Sequence, residues 1–200
     1  MYNETVRFGR IQVRVIAGAA GGLKLTAPAG NATRPTADRV KEALFSILEG
    51  MHGLADTQVL DLFAGSGALG IEALSRGAAH ATLVDKSRPA LAALRNNLLH
   101  TNMAERATVL ALDVFTSIEH LLRHKARFDL IFLDPPYALG VQRTVLERLG
   151  PLLAPTGLIV AEAASRDRLP EQIGPFHCID RRVYGDTALE FFATERNDAP

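Results

Sequence analysis

Beyond residue 57 the chain alternates two hydrophobic rhythms. Short apolar runs at 58–62, 81–84, 107–112, 128–133 and 157–163 are separated by stretches at 68–75, 89–99, 115–124 and 139–149 whose apolar residues recur every three or four positions. Runs such as Leu130-Ile131-Phe132-Leu133 offer no polar face, as in strands covered on both sides, and the stretches between them have the period of amphipathic helices. This alternation predicts βαβ units and a mostly parallel, doubly wound α/β sheet. Two further β-like runs, 176–184 and 187–194, meet at Gly185-Asp186, a connection short enough for an antiparallel hairpin. Upstream, Val13, Val15, Leu23 and Leu25 flank a glycine-rich stretch at 17–22 and predict a small hairpin, the glycines supplying positive φ. Residues 28–31 read as a loop. Thr36 is then a good N-cap for a helix that carries Val40, Ala43, Leu44, Ile47 and Leu48 and ends at Gly50. The predicted organisation is an N-terminal extension, hairpin and helix over residues 1–50, followed by an α/β body over residues 51–200.

Composition narrows the class. Two hundred residues with 48% hydrophobic content suffice for one well-cored domain. No run of 18 apolar residues is present to cross a membrane, and residues 1–9 lack the apolar core of a signal peptide. The single cysteine, Cys178, excludes an internal disulfide and fits a reducing, cytoplasmic setting. The net charge of zero gives no support to a nucleic-acid partner, but the charge is unevenly spread. Residues 1–41 carry a net +5 and the remainder −5. A basic arm on an acidic body points to a polyanionic partner; a solvated terminus accounts for it equally well.

The candidate chemistry gathers where the predicted strands end. The run 128–133 stops at Asp134-Pro135-Pro136-Tyr137. Neither proline has an N–H for the ladder, so the strand ends in a stiff corner holding a carboxylate, a free carbonyl and an aromatic ring. Ligands of open α/β sheets bind beyond the carboxyl ends of the strands. A planar base could stack on Tyr137 while its exocyclic amine donates to Asp134 and to the Pro135 carbonyl; the alternative is a capped turn with a surface tyrosine. The first body strand leads into Asp61-Leu62-Phe63-Ala64-Gly65-Ser66-Gly67-Ala68-Leu69-Gly70. Gly65, Gly67 and Gly70 form a G-x-G-x-x-G pattern, which lets a ligand approach a helix N-terminus and by itself suits a dinucleotide equally. Asp85 and Asp113 end the next two strands. The first is placed to accept from ribose hydroxyls and the second from an adenine amine, or each caps the helix that follows. Carboxylates at three consecutive strand ends repel a pyrophosphate and suit hydroxyls, amines and a sulfonium. That favours S-adenosyl-L-methionine over NAD.

Asp61 to Gly67, Asp85, Asp113 and Asp134-Pro135-Pro136-Tyr137 resemble the motif series of class I S-adenosylmethionine-dependent amino-methyltransferases. Arg14-Val15-Ile16-Ala17-Gly18, Gly22-Leu23-Lys24-Leu25, the stretch from Arg34-Pro35-Thr36 to Leu44-Phe45, and the stretch from Ala64 to Gly77 look like the RsmD-type 16S rRNA guanine-N2 methyltransferases. The resemblance spans roughly residues 12–195. It implies a seven-stranded, Rossmann-like methyltransferase fold acting on the exocyclic N2 amine of one guanine in 16S rRNA, within the small ribosomal subunit or its assembly intermediate. It implies that Asp61, Phe63, Ala64, Gly65, Ser66, Gly67, Asp85, Lys86, Asp113 and Val114 hold the cofactor. It implies that Asp134, Pro135, Pro136 and Tyr137 hold the base, flipped out of its stack. Arg34, Thr36 and Arg39, around the helix start, are with Tyr137 the candidate contacts to substrate RNA. A monomer without metal is expected.

Four alternatives stand beside this reading: a DNA adenine-N6 methyltransferase, a protein glutamine methyltransferase, a nicotinamide-dependent oxidoreductase and a non-catalytic RNA-binding factor. Asp134 stands where the glutamine enzymes usually have Asn, and the chain has no room for a separate DNA target-recognition domain. His120 and His124 are four apart, but Leu121 replaces the Glu of a zinc-protease helix, so no metal site is expected there. Cys178 is expected in the core. Arg181 and Arg182 are expected mainly in solvent, with phosphate contact the lesser alternative.

Overall fold

The computed structural model describes residues 13–27, 36–51, 53–135 and 139–194. β1 (Val13–Arg14) and β2 (Lys24–Leu25) pair as a two-stranded antiparallel ribbon, and α1 (Thr36–Met51) follows. The body runs β3 (Gln58–Asp61), α2 (Ala68–Ser75), β4 (His80–Val84), α3 (Arg88–His100), β5 (Ala107–Leu110), α4 (Val114–Arg123), β6 (Phe128–Leu133) and α5 (Leu139–Leu149). It closes with β7 (Leu153–Ala164), β8 (Gln172–Ile173), β9 (Phe176–Tyr184) and β10 (Thr187–Thr194). The main sheet has the order β5-β4-β3-β6-β7-β10-β9-β8. Its first five strands are parallel, and β10 enters antiparallel between β7 and β9. The doubly wound sheet and its closing hairpin follow the sequence expectation. The eighth strand is an addition: Gln172 and Ile173 fold back onto His177 and Phe176, a pairing too short to leave a hydrophobic period.

Each parallel strand is covered on both faces, and the period of two sorts its side chains. Val59, Leu130, Phe132, Leu158 and Val160 meet α1, α2 and α3, while Leu60, Ile131, Leu133 and Ile159 meet α4 and α5. The N-terminal unit is part of the first of these layers. Val13, Val15, Leu25, Leu44 and Leu48 are buried in one cluster with Val59 and Leu74, and the Phe45 and Phe132 rings pack at 5.8 Å.

Polar straps fasten this unit down. The fully buried Glu72 of α2 accepts from the main-chain N–H groups of Ile16 (2.6 Å) and Ala17 (3.0 Å) and from Arg76 Nε (2.7 Å), and pairs with Lys41 of α1 at 3.5 Å. Ser75 Oγ accepts from Ala20 N at 2.9 Å and donates to the Ala17 carbonyl at 2.5 Å. Gly18 fits here because a Cβ would lie 1.9 Å from the Ser75 carbonyl oxygen.

The winding also places a crevice. From β3 the chain moves outward through β4 and β5, then returns to add β6 and β7 on the other side. The connections therefore diverge beyond the carboxyl ends of β3 and β6, where open α/β sheets bind ligands.

Candidate active site

A cleft of about 760 Å³ opens at that divergence. Of the ten residues predicted to hold a cofactor, Asp61, Phe63, Ala64, Gly65, Ser66, Asp85, Lys86, Asp113 and Val114 line it, together with Asp134 and Pro135. Gly67 does not. It starts α2 at φ 83, and a Cβ there would meet Leu94 Cδ1 at 2.4 Å, so this glycine lets α3 pack against the loop. Gly65 has φ 54 with no atom closer than 4.0 Å to an added Cβ, which leaves the loop's outer side open to the cleft.

Asp85 does two jobs that the sequence left as alternatives. Its carboxylate accepts from Gly65 N at 2.9 Å, fixing the glycine loop, and from Ser87 N at 2.8 Å, shaping the entry to α3. Asp113 caps α4, accepting from Phe115 N at 3.0 Å and Thr116 N at 3.2 Å. The Thr116 hydroxyl and main-chain N–H hold its carboxyl below the ordinary carboxylate range. Asp61 is 1% exposed at the end of β3. One oxygen accepts from Gly70 N at 3.3 Å; the other, Oδ1, has no hydrogen-bond partner. Burial first, and the charge of Asp134 next, push its carboxyl up to about 7.

Asp134 is open to the cleft yet ringed by protein. The two are compatible, since a concave pocket wets a side chain while leaving few waters to solvate its charge. Burial pushes Asp134 up to about 6, and its open surface tempers that rise.

Arg34, Pro136 and Tyr137 lie outside the described residues, so their expected roles stay expectations. Thr36 opens α1, and Arg39 is exposed on it. Arg181 departs from the sequence expectation. It is not a solvated or phosphate-facing arginine: Nε pairs with the fully buried Glu190 at 2.8 Å, and the guanidinium donates to the Ser165 and Asp167 carbonyls. Arg182 pairs with Asp180 at 2.8 Å and is exposed. The His120 and His124 rings stack at 4.3 Å, and no metal-binding group forms among the described residues. Cys178 is half-buried in β9.

Three residues escaped the sequence reading. Phe115 lines the cleft with the Arg148 guanidinium 4.9 Å over its ring. Asn97, 2% exposed on α3, donates from Nδ2 to the Ser66 carbonyl (2.8 Å) and the Thr26 carbonyl (2.9 Å) and accepts from Thr26 N (2.8 Å). A polar residue in the apolar stripe of Leu94 and Leu98 was its signal. Glu162 lies on β7, two residues before the strand ends, beside the point where β6 gives way to Asp134; burial and the Asp134 charge push it up to about 8.

Comparison with known proteins agrees with the geometry. The family described as conserved hypothetical protein 95 matches residues 13–193. Ribosomal RNA small subunit methyltransferase D of Escherichia coli K12 is 35% identical over 189 residues, spanning 94% of this chain and 92% of its own. The protein of the same name from Haemophilus influenzae is 36% identical over 157 residues, 76% of this chain and 78% of its own. Among solved structures, a hypothetical protein from Thermus thermophilus superposes with a TM-score of 0.79 at 34% identity, over 91% of this chain and 99% of that one.

Proposed function

The chain belongs to the conserved hypothetical protein 95 family, and from that premise we propose that it transfers a methyl group from S-adenosyl-L-methionine to the exocyclic N2 amine of a guanine in 16S rRNA of the small ribosomal subunit. The observation that carries the reading is the Asp134-Pro135 corner set against an acid-floored cleft at the sheet's divergence. The cofactor fits the residues present. Asp61 Oδ1 is a buried acceptor in want of a donor, and the methionine ammonium would supply one. Asp85 faces the place of a ribose, and Phe115 offers an apolar wall for an adenine. A pyrophosphate would meet Asp61, Asp85, Asp113 and Asp134 at once, which counts against a nicotinamide dinucleotide.

S-adenosyl-L-methionine supplies an electrophilic methyl on a sulfonium, so the protein's task is alignment and charge. Orienting reactants is worth up to roughly 7–11 kcal/mol in favourable cases. The guanine amine is delocalised into its ring. Donating its two N–H groups to Asp134 and to the Pro135 carbonyl favours a pyramidal nitrogen whose lone pair faces the methyl. The Asp134 carboxylate also stabilises the positive charge that grows on nitrogen. Tyr137 would stack on the base, at about 1–3 kcal/mol.

The test is tritiated methyl incorporation into small subunits from cells lacking the enzyme, into naked rRNA and into duplex DNA, followed by nucleoside analysis. N2-methylguanine in the particle is expected. Label in N6-methyladenine of DNA, or on protein, would overturn the assignment.

A further inference from the structure

A further acid stands beside the one that follows β6. β6 and β7 run parallel with Phe132 opposite Val160 and Leu133 opposite Ala161. The next residues are Asp134 on one chain segment and Glu162 on the other. Two carboxyls therefore come side by side where β6 ends and β7 continues, on segments roughly 4.8 Å apart. Ala161 belongs to the α4–α5 face, so Glu162, the next residue of β7, takes the face that Val160 shares with Phe132 and α1.

Glu162 is half-buried. Its main-chain carbonyl accepts from Gln142 of α5, but among the described residues its carboxyl has no hydrogen-bond or ion-pair partner. It is also absent from the lining of the cofactor cleft, and β7 lies on the opposite side of β6 from β3, which leads into the glycine loop. A carboxyl left without partners beside another carboxyl is unfavourable in the free protein, and a ligand edge rich in donors offsets it.

We propose that Glu162 reads the base: its carboxyl accepts the N1–H of the target guanine and donates to O6, while Asp134 holds the 2-amino group of the same ring. This rests on the methyltransferase reading above. Guanine presents the 2-amino group, N1–H and O6 in a row along one edge, so two adjacent carboxyl groups span it. An adenine with its amine at Asp134 presents a bare N1 to Glu162 and a C–H beyond it, which leaves one hydrogen bond in place of two. The donating form is the protonated acid, the form that a carboxyl raised to about 8 keeps at neutral pH. Asp134 is the charged group that raises it; β10 sets Leu189 opposite, α5 offers the uncharged Gln142, and Lys41 of α1 is committed to Glu72.

The test compares Glu162→Gln and Glu162→Ala. The amide keeps an acceptor for N1–H and a donor for O6; alanine keeps neither. Methyl transfer to small subunits from cells lacking the enzyme is followed from neutral pH to well above 8, alongside calorimetry with S-adenosyl-L-methionine and the melting temperature. The alanine variant is expected to lose about 30-fold in kcat/KM, the scale of two ordinary hydrogen bonds, with cofactor affinity unchanged. The glutamine variant is expected within about 3-fold of the wild type, since its hydrogen-bond pattern is retained. It is also expected to lack the alkaline fall expected of the wild type above about 8. An alanine variant as active as the wild type, a glutamine variant as poor as alanine, or an alkaline fall that persists in the glutamine variant overturns the assignment. A merely structural Glu162 would shift melting and leave the pH profile alone. Methyl found away from guanine N2 in the wild type defeats the functional reading, and the base assignment with it. N2-methylguanine made at full rate by the alanine variant defeats the base assignment alone.

Discussion

Asp61 shows what one buried carboxyl commits the protein to. Raised to about 7, it binds a proton in the folded chain over a range where the unfolded chain, near the ordinary value of about 3.9, has lost it. Folding stability from this group is therefore fully present at low pH and lost as pH rises through about 7. Asp61→Asn is expected to make the fall in melting temperature between mildly acidic and mildly alkaline buffer shallower in the free protein. Calorimetry across the same range is expected to show wild-type affinity for S-adenosyl-L-methionine rising as Asp61 ionises to meet the ammonium, and no such rise in the variant. Parallel curves for the two proteins would remove Asp61 from the site. Asp134→Asn preserves size and offers the base an amide in place of a charge. Turnover in single-turnover methyl transfer is expected to drop at least about 100-fold with cofactor binding retained, the cost of losing one preorganised charge-stabilising group. The acids at 61, 85, 113 and 134 were legible because each ends an apolar run. Glu162 was not, because it falls inside the run 157–163, with Ala163 and Ala164 beyond it, and only the pairing of β7 with β6 brings it beside Asp134. Arg181 was not legible, because its partner Glu190 reaches it only through the pairing of β9 with β10.

Among the elements, α2 carries the most. Its N-terminus faces the cleft, its apolar side packs on β3 and β4, and its Glu72 and Ser75 hold the N-terminal turn. Gly70 lies where a Cβ would come 2.2 Å from Leu83 Cδ2 and 3.7 Å from Asp61 Oδ2. Gly70→Ala is expected to destabilise by about 1–3 kcal/mol through overpacking. Glu72→Gln is expected to cost about 3–5 kcal/mol, because it removes the buried carboxylate paired with Lys41 and leaves that ammonium the Arg14 carbonyl. Urea unfolding measures both, and a Glu72→Gln chain as stable as the wild type would mean that the Arg14 carbonyl alone satisfies Lys41. The helices and parallel strands were visible within a residue or two because their hydrophobic periods are long and unbroken. β7 is the exception. It begins at Leu153, four residues ahead of the expected 157, because Leu153 pairs with Phe128 before Ala154-Pro155-Thr156 interrupts the apolar run.

For the molecule as a whole, the basic arm is smaller than the sequence makes it. Lys41 is buried against Glu72, and Arg14 pairs with Asp38 at 3.2 Å, so neither is offered freely to phosphate. Arg39 is exposed and absent from the ion pairs among the described residues. Arg39→Glu is expected to weaken binding to small-subunit RNA and to flatten its salt dependence, leaving cofactor affinity untouched. Filter binding over a salt series measures it, and an unchanged slope would place the phosphate contacts elsewhere. Charge counting misjudged the arm because burial and tertiary pairing decide which cations remain available.

The straps on the N-terminal turn join residues 55 to 71 positions apart, the longest from Thr26 to Asn97. A chain is made from its N-terminus, so the order of synthesis opposes the order of docking. Residues 13–27 leave the peptidyl-transferase centre early and find their partners only after Glu72, Ser75 and lastly Asn97 have cleared the exit tunnel. Until then Val13, Val15 and Leu25 have no core to enter. Nascent chains stalled at increasing lengths are expected to keep this opening segment sensitive to protease until Asn97 has emerged, and to protect it abruptly thereafter.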